Sequence, residues 1–238
     1  MSILPQAQSS TGVIQRCWHS LLGACCLLCG SSITEGPICP PCEQDLPRLN
    51  GPCCPRCAEP TTHGEHCGTC LHTPPAFDST RGLFRYEFPV DRMIHALKYG
   101  HQLAFAPWMG QGLLAATESL SIDMILAMPL HPTRLRERGF NQAMELARPI
   151  AQARGIALHP QALQRVLATA AQAGLQLKLR HSNLRGAFAC AQDLRGRRIL
   201  LIDDVMTSGA TAREAARVLR LHGSEEIHIA VVARALKP

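Results

Sequence analysis

Aromatic side chains are scarce in this 238-residue sequence, in which phenylalanine, tyrosine and tryptophan together make up 4% of the residues. Proteins that hold single-stranded nucleic acid mainly by base stacking need several exposed aromatic rings. The composition therefore argues against a surface built chiefly from stacking platforms. The net charge of +6 is modest, so it fits a polyanionic ligand and permits nucleic acid binding without requiring it.

The sequence also lacks a run of about eighteen apolar residues, the length that a transmembrane helix needs. The apolar stretch at residues 21–28 is short, follows no basic segment and precedes no evident cleavage site, so we do not expect a signal peptide. The expectation is a cytoplasmic chain without a transmembrane segment. Residues 1–20 are expected to form a flexible leader.

Cysteine is nearly absent beyond residue 70, where Cys190 stands alone, whereas the other eleven of the twelve cysteines lie between Cys17 and Cys70. Eight of them form two C-x2-C-x9-C-x2-C repeats that start 28 residues apart. These eight are Cys26, Cys29, Cys39, Cys42, Cys54, Cys57, Cys67 and Cys70. Because a tetrahedral zinc ion takes four thiolates and each C-x-x-C turn supplies two, we predict one or two structural Zn2+ ions in a double zinc ribbon over residues 21–73.

Other uses of these cysteines stay open at this point. Disulfide bonds would require an oxidising compartment, and nothing in the sequence directs secretion. A thioredoxin-like redox site normally has one C-x-x-C in a βαβ unit rather than four pairs in a Gly/Pro-rich segment. The ribbons could be tandem or interleaved, and a nearby histidine could replace a thiolate. The histidines concerned are His19, His63, His66 and His72.

The apolar run 199–202 leads directly into Asp203 and Asp204, and a hydroxyl-rich turn and a helical pattern follow. This order predicts a buried strand, a polar turn and a helix N-terminus, whose free N–H groups and positive dipole suit a phosphate. The turn residues are Thr207, Ser208, Gly209, Ala210 and Thr211. Adjacent carboxylates repel phosphate but suit hydroxyl groups or a divalent cation, so a ribose 5-phosphate satisfies both halves of the motif.

Strand and helix patterns alternate after the Pro74-Pro75 linker. Strands are predicted at 82–88, 122–128, 199–202 and 227–232, and helices at 91–99, 103–117, 142–153 and 210–221. Such alternation predicts an α/β domain over residues 76–238, with a parallel sheet flanked by helices. Ligands in such sheets lie at the carboxyl ends of the strands, so a loop over residues 129–142 and the Asp203 loop are expected to face one site.

The motif strand and turn resemble the phosphoribosyl pyrophosphate (PRPP) motif of type I phosphoribosyltransferases. A narrower resemblance, to the competence-associated ComF/GntX family, extends from about Cys26 to Arg234. It rests on Leu97-Lys98-Tyr99-x-His101, Arg134-x-x-x-Arg138-Gly139-Phe140-Asn141-Gln142-Ala143, Arg165-x-x-x-Thr169-x-x-Gln172-x-x-Leu175, Arg180-x-x-Asn183-x-x-x-Ala187-Phe188, and the preceding cysteine-rich ribbon.

The resemblance implies a type I phosphoribosyltransferase-like fold that binds PRPP with Mg2+. The two acids would hold the ribose hydroxyls and the turn would hold the 5-phosphate. Arg134 and Arg138 would hold the pyrophosphate, for which guanidinium forks are suited, although a solvated basic turn is the alternative. Arg180 and Asn183 would belong to a flexible loop that closes over PRPP.

Three functions fit this resemblance. The chain could be an active phosphoribosyltransferase whose acceptor the sequence does not identify, and Thr207 stands where purine-salvage enzymes carry an acid. It could instead be a non-catalytic module for DNA uptake that binds single-stranded DNA or a helicase partner, or a PRPP-sensing regulator. A basic stripe could follow a nucleic acid backbone or be a solvated face. Its members are Arg180, Arg185, Arg195, Arg197 and Arg198.

Overall fold

The computed structural model describes residues 24–167 and 184–236. The chain divides into two compact units, Met1–Leu46 and Pro47–Pro238. The predicted leader and the predicted flexible-loop residues Arg180 and Asn183 lie outside the described residues. The division between the units falls between the two cysteine repeats, so it does not coincide with the border expected after residue 73.

The first unit holds the first cysteine repeat on very short elements. Strand β1 (Ala24–Cys25) pairs antiparallel with β2 (Ser32–Ile33), and helix α1 (Pro40–Gln44) follows. The turn between the strands closes where the N–H of Gly30 donates to the Cys26 carbonyl at 2.8 Å, with Gly30 at a φ of +76°. Only glycine takes that conformation without strain, so the residue after the C-x-x-C pair fixes the turn.

The second unit is built on a parallel four-stranded sheet. Its strands are β3 (Ser79–Arg85), β4 (Met124–Ala127), β7 (Arg198–Met206) and β8 (Glu226–Arg234), in the order β3-β8-β7-β4. The remaining strands, β5 (Leu163–Arg165) and β6 (Phe188–Cys190), form a separate antiparallel pair. The predicted α/β fold with a parallel sheet is thus confirmed.

Helices lie between the parallel strands along the chain, because parallel neighbours need a crossover connection rather than a tight hairpin. The helices among the described residues of the second unit are α2 (Gly68–His72), α3 (Val90–Tyr99), α4 (Phe105–Ala116), α5 (Pro132–Arg138), α6 (Gln142–Arg154) and α7 (Ala210–Leu221). The bounds of α7 are those predicted from the sequence. The central strands β7 and β8 are buried almost throughout, which explains why they read as continuous apolar runs rather than alternating ones. Among the described residues, no helix combines the length and apolar character needed to cross a membrane.

Two local expectations were wrong. The acids Asp203 and Asp204 lie within β7 rather than in the turn after it, because β7 stays paired with β8 as far as Met206 opposite Arg234. The segment after Pro129 contains α5 instead of an open loop. Pro132 stands at its first turn, where a missing N–H costs nothing, and Gly139 ends it at a φ of +82°.

Candidate functional site

The segment between β7 and α7 forms a small pocket at the carboxyl edge of the sheet. We call residues 207–211 the phosphate loop. Gly209, at a φ of +75°, is the N-cap of the twelve-residue α7, so the first N–H groups of that helix are directed at the loop. The pocket is lined by Asp203, Val205, Met206, Thr207, Gly209, Ala210, Thr211, Ala212, Ile229 and Val231. Five of the seven residues predicted to bind PRPP line this pocket, whereas Asp204 and Ser208 do not.

The two adjacent acids face different surroundings, because successive side chains of a strand point to opposite faces. Asp203 lines the pocket, and its Oδ1 accepts a hydrogen bond from the Asp204 N–H at 2.9 Å. Burial among protein groups, together with the neighbouring negative charge of Asp204, raises the pKa of Asp203 well above its ordinary value. Asp204 is 4% exposed and points toward helices α3 and α6.

Asp204 is held by two side chains that the sequence had not assigned to the site. Lys98, near the end of α3, forms an ion pair with Oδ2 of Asp204. Gln142, the first residue of α6, donates from Nε2 to Oδ1 at 3.1 Å. Burial is the largest single influence and would lower the pKa of Lys98, but the charge of Asp204, its hydrogen bond with Lys98 and the charge of Asp203 together raise that pKa. Lys98 therefore stays protonated and supplies a positive charge beside the two acids.

Arg138 extends this network outward. It donates to Oε1 of Gln142, and its guanidinium lies 5.0 Å from the ring centroid of Tyr99. Gln142 thus connects Arg138, one of the two predicted pyrophosphate ligands, to Asp204 by two successive hydrogen bonds. Arg138 ends α5 and Gln142 begins α6, so this contact spans the turn between two helices and has no helical i,i+4 signal in the sequence.

Arg134, the other predicted pyrophosphate ligand, lies 3.5 Å from Glu137 on α5 and is 45% exposed. Burial lowers the pKa of Arg165, and the charge of Arg134 lowers it further, whereas the charge of Asp203 opposes that shift. Arg134, Arg165 and Asp203 are therefore near enough to interact electrostatically.

A group of rings and one cation lies beside this network. We call Tyr99, His95 and Arg138 the Tyr99 cluster. The Tyr99 ring is 56% exposed, and its centroid lies 4.8 Å from that of His95 on the same helix. A second ring pair, His101 and Phe140, has centroids 5.9 Å apart. Exposed rings with a guanidinium on one face can stack a planar ligand.

The eight paired cysteines form two separate groups of four, each within one repeat. The first four-cysteine site is Cys26, Cys29, Cys39 and Cys42, and the second four-cysteine site is Cys54, Cys57, Cys67 and Cys70. Within each site all four Sγ atoms lie within 4.8 Å of one another. The repeats are therefore tandem rather than interleaved, and within the described residues neither group includes a histidine.

The sulfur distances fit zinc and not disulfide bonds. The Sγ atoms of Cys57 and Cys67 are 3.5 Å apart, and those of Cys29 and Cys39 are 3.7 Å apart. Four thiolates at about 2.3 Å from a tetrahedral zinc ion would be roughly 3.8 Å from one another. A disulfide would require about 2.05 Å. Both groups thus suit a structural zinc ion, with four thiolates and no vacant ligand position.

The basic stripe is partly neutralised. Arg195 pairs with Asp193 at 2.7 Å, and Arg198 pairs with Asp123 at 2.8 Å. The Arg198 guanidinium also lowers the pKa of Asp123 through direct hydrogen bonds. Two of the stripe's described arginines are therefore committed to carboxylates within this chain. This arrangement favours the solvated-face interpretation over a continuous track for a nucleic acid backbone.

Comparison with known proteins gives matches to both parts of the chain. Residues 152–238 match the family model of the phosphoribosyl transferase domain, and residues 17–71 match that of the double zinc ribbon domain. The DNA utilization protein YhgH of Salmonella typhi is 33% identical over 177 residues, covering 71% of this chain and 78% of that protein. The protein of that name in Escherichia coli K12 is 32% identical over 221 residues, covering 90% and 91%. Competence protein F of Haemophilus influenzae is 30% identical over 227 residues, covering 91% and 93%.

Proposed function

Since this chain belongs to the ComF/GntX family, which combines a phosphoribosyltransferase-type domain with a double zinc ribbon, we propose that it binds PRPP with Mg2+ at the carboxyl edge of its sheet. The observation that carries this proposal is the junction of β7 with the phosphate loop. There the Asp203 carboxylate and the glycine-capped N-terminus of α7 line the same pocket. One half of that junction suits hydroxyl groups and the other suits a phosphate.

The charges around the pocket support a doubly phosphorylated ribose. The phosphate loop would take the 5-phosphate, and Asp203 would accept hydrogen bonds from the ribose hydroxyls. Arg138 and Arg134 are the cations that we propose for the diphosphate, and Lys98, paired with Asp204, adds a positive charge beside the acids. The carboxylate oxygens suit Mg2+, which usually binds one or two carboxylates together with substrate phosphates and would neutralise part of the diphosphate charge.

If the site is an active transferase, the bond between C1 of the ribose and the diphosphate oxygen breaks, and the acceptor forms the new bond to C1. The cations would stabilise the negative charge that develops on the departing diphosphate. Asp203 would stabilise the positive charge that develops on the ribose ring. Measuring the reaction with different acceptors would identify the acceptor. Thr207 stands where purine-salvage enzymes carry an acid, and this difference argues against a purine-salvage role.

The relatives' names suggest the process in which this site works. Proteins called competence protein F and DNA utilization protein are similar to this chain over nine-tenths of its length. We therefore propose that this chain acts in natural competence, on DNA that has reached the cytoplasm. Single-stranded DNA and a helicase of the uptake machinery are the proposed partners.

The test is to titrate PRPP into the protein with Mg2+ by calorimetry and then to measure pyrophosphate release with bases, ammonia, glutamine and water as acceptors. Saturable binding that is lost in Asp203→Asn would support the proposal. Asp193→Asn is the matched control, because Asp193 is an exposed carboxylate before β7 and takes no part in the site. If PRPP does not bind the native chain, the proposal is wrong. Release with one acceptor would identify the substrate class.

A non-catalytic module that senses PRPP or binds single-stranded DNA is the second candidate, and the Tyr99 cluster is the observation that favours it. An exposed ring with an arginine on its face is a stacking platform for a base. Under this candidate, Tyr99→Ala weakens binding of a labelled single-stranded oligonucleotide by about fivefold or more, consistent with 1–3 kcal/mol per stacked base. Phe88→Ala is the control, because Phe88 is 77% exposed and lies outside the cluster. Equal binding by the two variants would exclude this role for Tyr99.

A further inference from the structure

The second four-cysteine site and the phosphate loop belong to the same compact unit, and two arginines connect them. One arginine contacts the chain where it enters the loop, and the other lies one turn into the helix where the chain leaves it. We call these residues, Arg234 and Arg213, the two straps. Both straps and the partners named for them belong to the second unit, Pro47–Pro238.

Arg234, the last residue of β8, is 4% exposed and forms the first strap. Its Nε donates to the Cys57 carbonyl at 2.9 Å, and one Nη pairs with Glu59 at 2.7 Å. The other Nη donates to the carbonyl of Met206 at 3.1 Å and also to that of Thr207. One planar guanidinium thus joins a zinc-ligand residue to the first residue of the phosphate loop.

Arg213 forms the second strap from the first turn of α7. Its backbone N–H donates to the Gly209 carbonyl at 2.9 Å, so the residue is fixed to the loop's glycine. Its side chain donates to the Thr73 carbonyl at 2.7 Å and lies 4.0 Å from Sγ of Cys70. The last zinc ligand of the second site is therefore attached to the helix whose N-terminus faces the pocket.

The acceptors of these straps depend on the metal for their position. The backbone that carries the second four-cysteine site has one helix of five residues, and the buried cluster around it consists of the cysteines themselves. A segment with so little core of its own folds by binding metal. When the metal leaves, the carbonyls of Cys57 and Thr73 lose their fixed positions. Arg234 would then lose the Cys57 carbonyl while it still donates to those of Met206 and Thr207. A buried cation that lacks an acceptor is unfavourable, so Arg234 would draw the loop out of place.

We propose that the second four-cysteine site positions the phosphate loop through Arg234 and Arg213, so that metal bound at this site raises the loop's affinity for a phosphorylated ligand. Arg234 is a positioning residue, because it acts on the loop's backbone and not on the ligand. The inference rests on the proposed function, since it takes the phosphate loop as the binding site for PRPP. Thermodynamic linkage makes the effect reciprocal, so PRPP must strengthen metal binding at the second four-cysteine site by the same factor.

The experiment measures zinc release from the full chain to a chromophoric chelator, with and without saturating PRPP and Mg2+. Cys29→Ser removes a ligand of the first four-cysteine site, so the zinc that remains reports on the second site alone. We expect saturating PRPP to raise the affinity of the second site for zinc by at least about fivefold, the lower end of typical coupling between sites. PRPP binding is measured by calorimetry on the same samples.

Two matched variants test the strap itself. Arg234→Lys keeps the positive charge but loses the fork that reaches several carbonyls at once. Arg154→Lys is the control, because Arg154 also donates to two main-chain carbonyls, those of Thr117 and Leu120 at 2.9 and 2.7 Å. We expect Arg234→Lys to abolish the PRPP effect on zinc and to weaken PRPP binding, while Arg154→Lys retains both. Glu59→Gln, which leaves the arginine in place, should reduce the effect partially if Arg234→Lys does not fold.

The outcomes separate the two proposals. PRPP binding that leaves zinc retention unchanged would overturn the strap inference and leave the proposed function standing. Equal behaviour of Arg234→Lys and Arg154→Lys would also overturn it. A native chain that does not bind PRPP would overturn the proposed function and this inference together. A PRPP effect that is present in Cys29→Ser and lost in Arg234→Lys would establish the coupling.

Discussion

Gln142 donates from its side-chain amide to the carboxylate of Asp204 across 3.1 Å, although the two residues are 62 positions apart in the sequence. This contact and the Lys98 ion pair occupy both oxygens of Asp204, whereas the carboxylate of Asp203 lines the pocket. The adjacent acids therefore have different tasks. Asp204 fixes helices α3 and α6 to the sheet's edge, and Asp203 is the one that can meet a ligand.

Asp203→Asn should stabilise the protein at neutral pH. The folded-state pKa of Asp203 lies above its ordinary value of about 3.9, so the native state binds more protons than the unfolded state above that pH. Its contribution to stability is therefore complete below about pH 4 and is lost as the pH rises through the folded-state pKa. Asparagine mimics the neutral carboxyl and can still accept from the Asp204 N–H.

The measurement for Asp203→Asn is the melting temperature of both proteins at pH 4 and at pH 7. The gain in the variant should be larger at pH 7, while its affinity for PRPP falls. Asp193→Asn, at an exposed ion pair, should change the melting temperature little at either pH. A variant that is less stable than the native chain at pH 7 would contradict the assignment of a destabilising charge to Asp203.

Lys98→Met should destabilise the protein, because it leaves the buried Asp204 carboxylate without its cation. Breaking one partner of a buried ion pair costs about 3 kcal/mol. The double variant Lys98→Met with Asp204→Asn removes both charges and should be more stable than the sum of the two single losses predicts. Urea denaturation of all four proteins gives the coupling energy, and strict additivity would show that the two charges do not interact.

Gly209→Ala should weaken both folding and phosphate binding. Gly209 has a φ of +75°, and a side chain there costs about 1 kcal/mol in the left-handed region, although a Cβ would make only ordinary contact with Met206, at 3.7 Å from its sulfur. Gly155→Ala is the matched control, because Gly155 has a φ of +63°, open space around it, and a place at the far end of α6. The two variants should lose similar stability in denaturant, and only Gly209→Ala should lose PRPP affinity. Equal loss of affinity in both would contradict a local role for the loop.

Metal analysis should find two zinc ions per chain, one for each four-cysteine site. Cys29→Ser and Cys67→Ser should each retain one, since each removes a ligand from a different site. The native chain after gentle purification, analysed by mass spectrometry under native conditions, supplies the reference. A single zinc ion in the native chain would show that one of the cysteine groups does not hold metal.

The sequence predicted the parts of the molecule whose signal is local. The bounds of α7 follow from a helical pattern that starts at a glycine cap, and the two four-cysteine sites follow from a repeated spacing. The position of Asp203 and Asp204 within β7 could not be predicted in this way. Polar residues usually end a strand, and only pairing with the long β8 keeps this strand extended through Met206.

The local sequence pattern could not predict the long-range contacts either. Lys98 and Arg234 each lie at the end of an apolar element, where a charged residue ordinarily marks the surface. Their roles depend on partners more than a hundred residues away, such as Asp204 for Lys98 and Cys57 for Arg234. The helix Pro132–Arg138 was missed for a different reason, because its seven residues are mostly polar and exposed and carry no apolar periodicity.

The contacts of Arg234 also determine which N-terminal truncations this chain can tolerate. The two cysteine repeats look like one removable module, yet the second supplies acceptors for a guanidinium buried beneath the phosphate loop. A fragment that starts at residue 76 would keep the whole parallel sheet and still leave that cation without Cys57 and Glu59, whereas one that starts at Pro47 keeps them. Gene truncations in this family should therefore tolerate loss of the first repeat far better than loss of both.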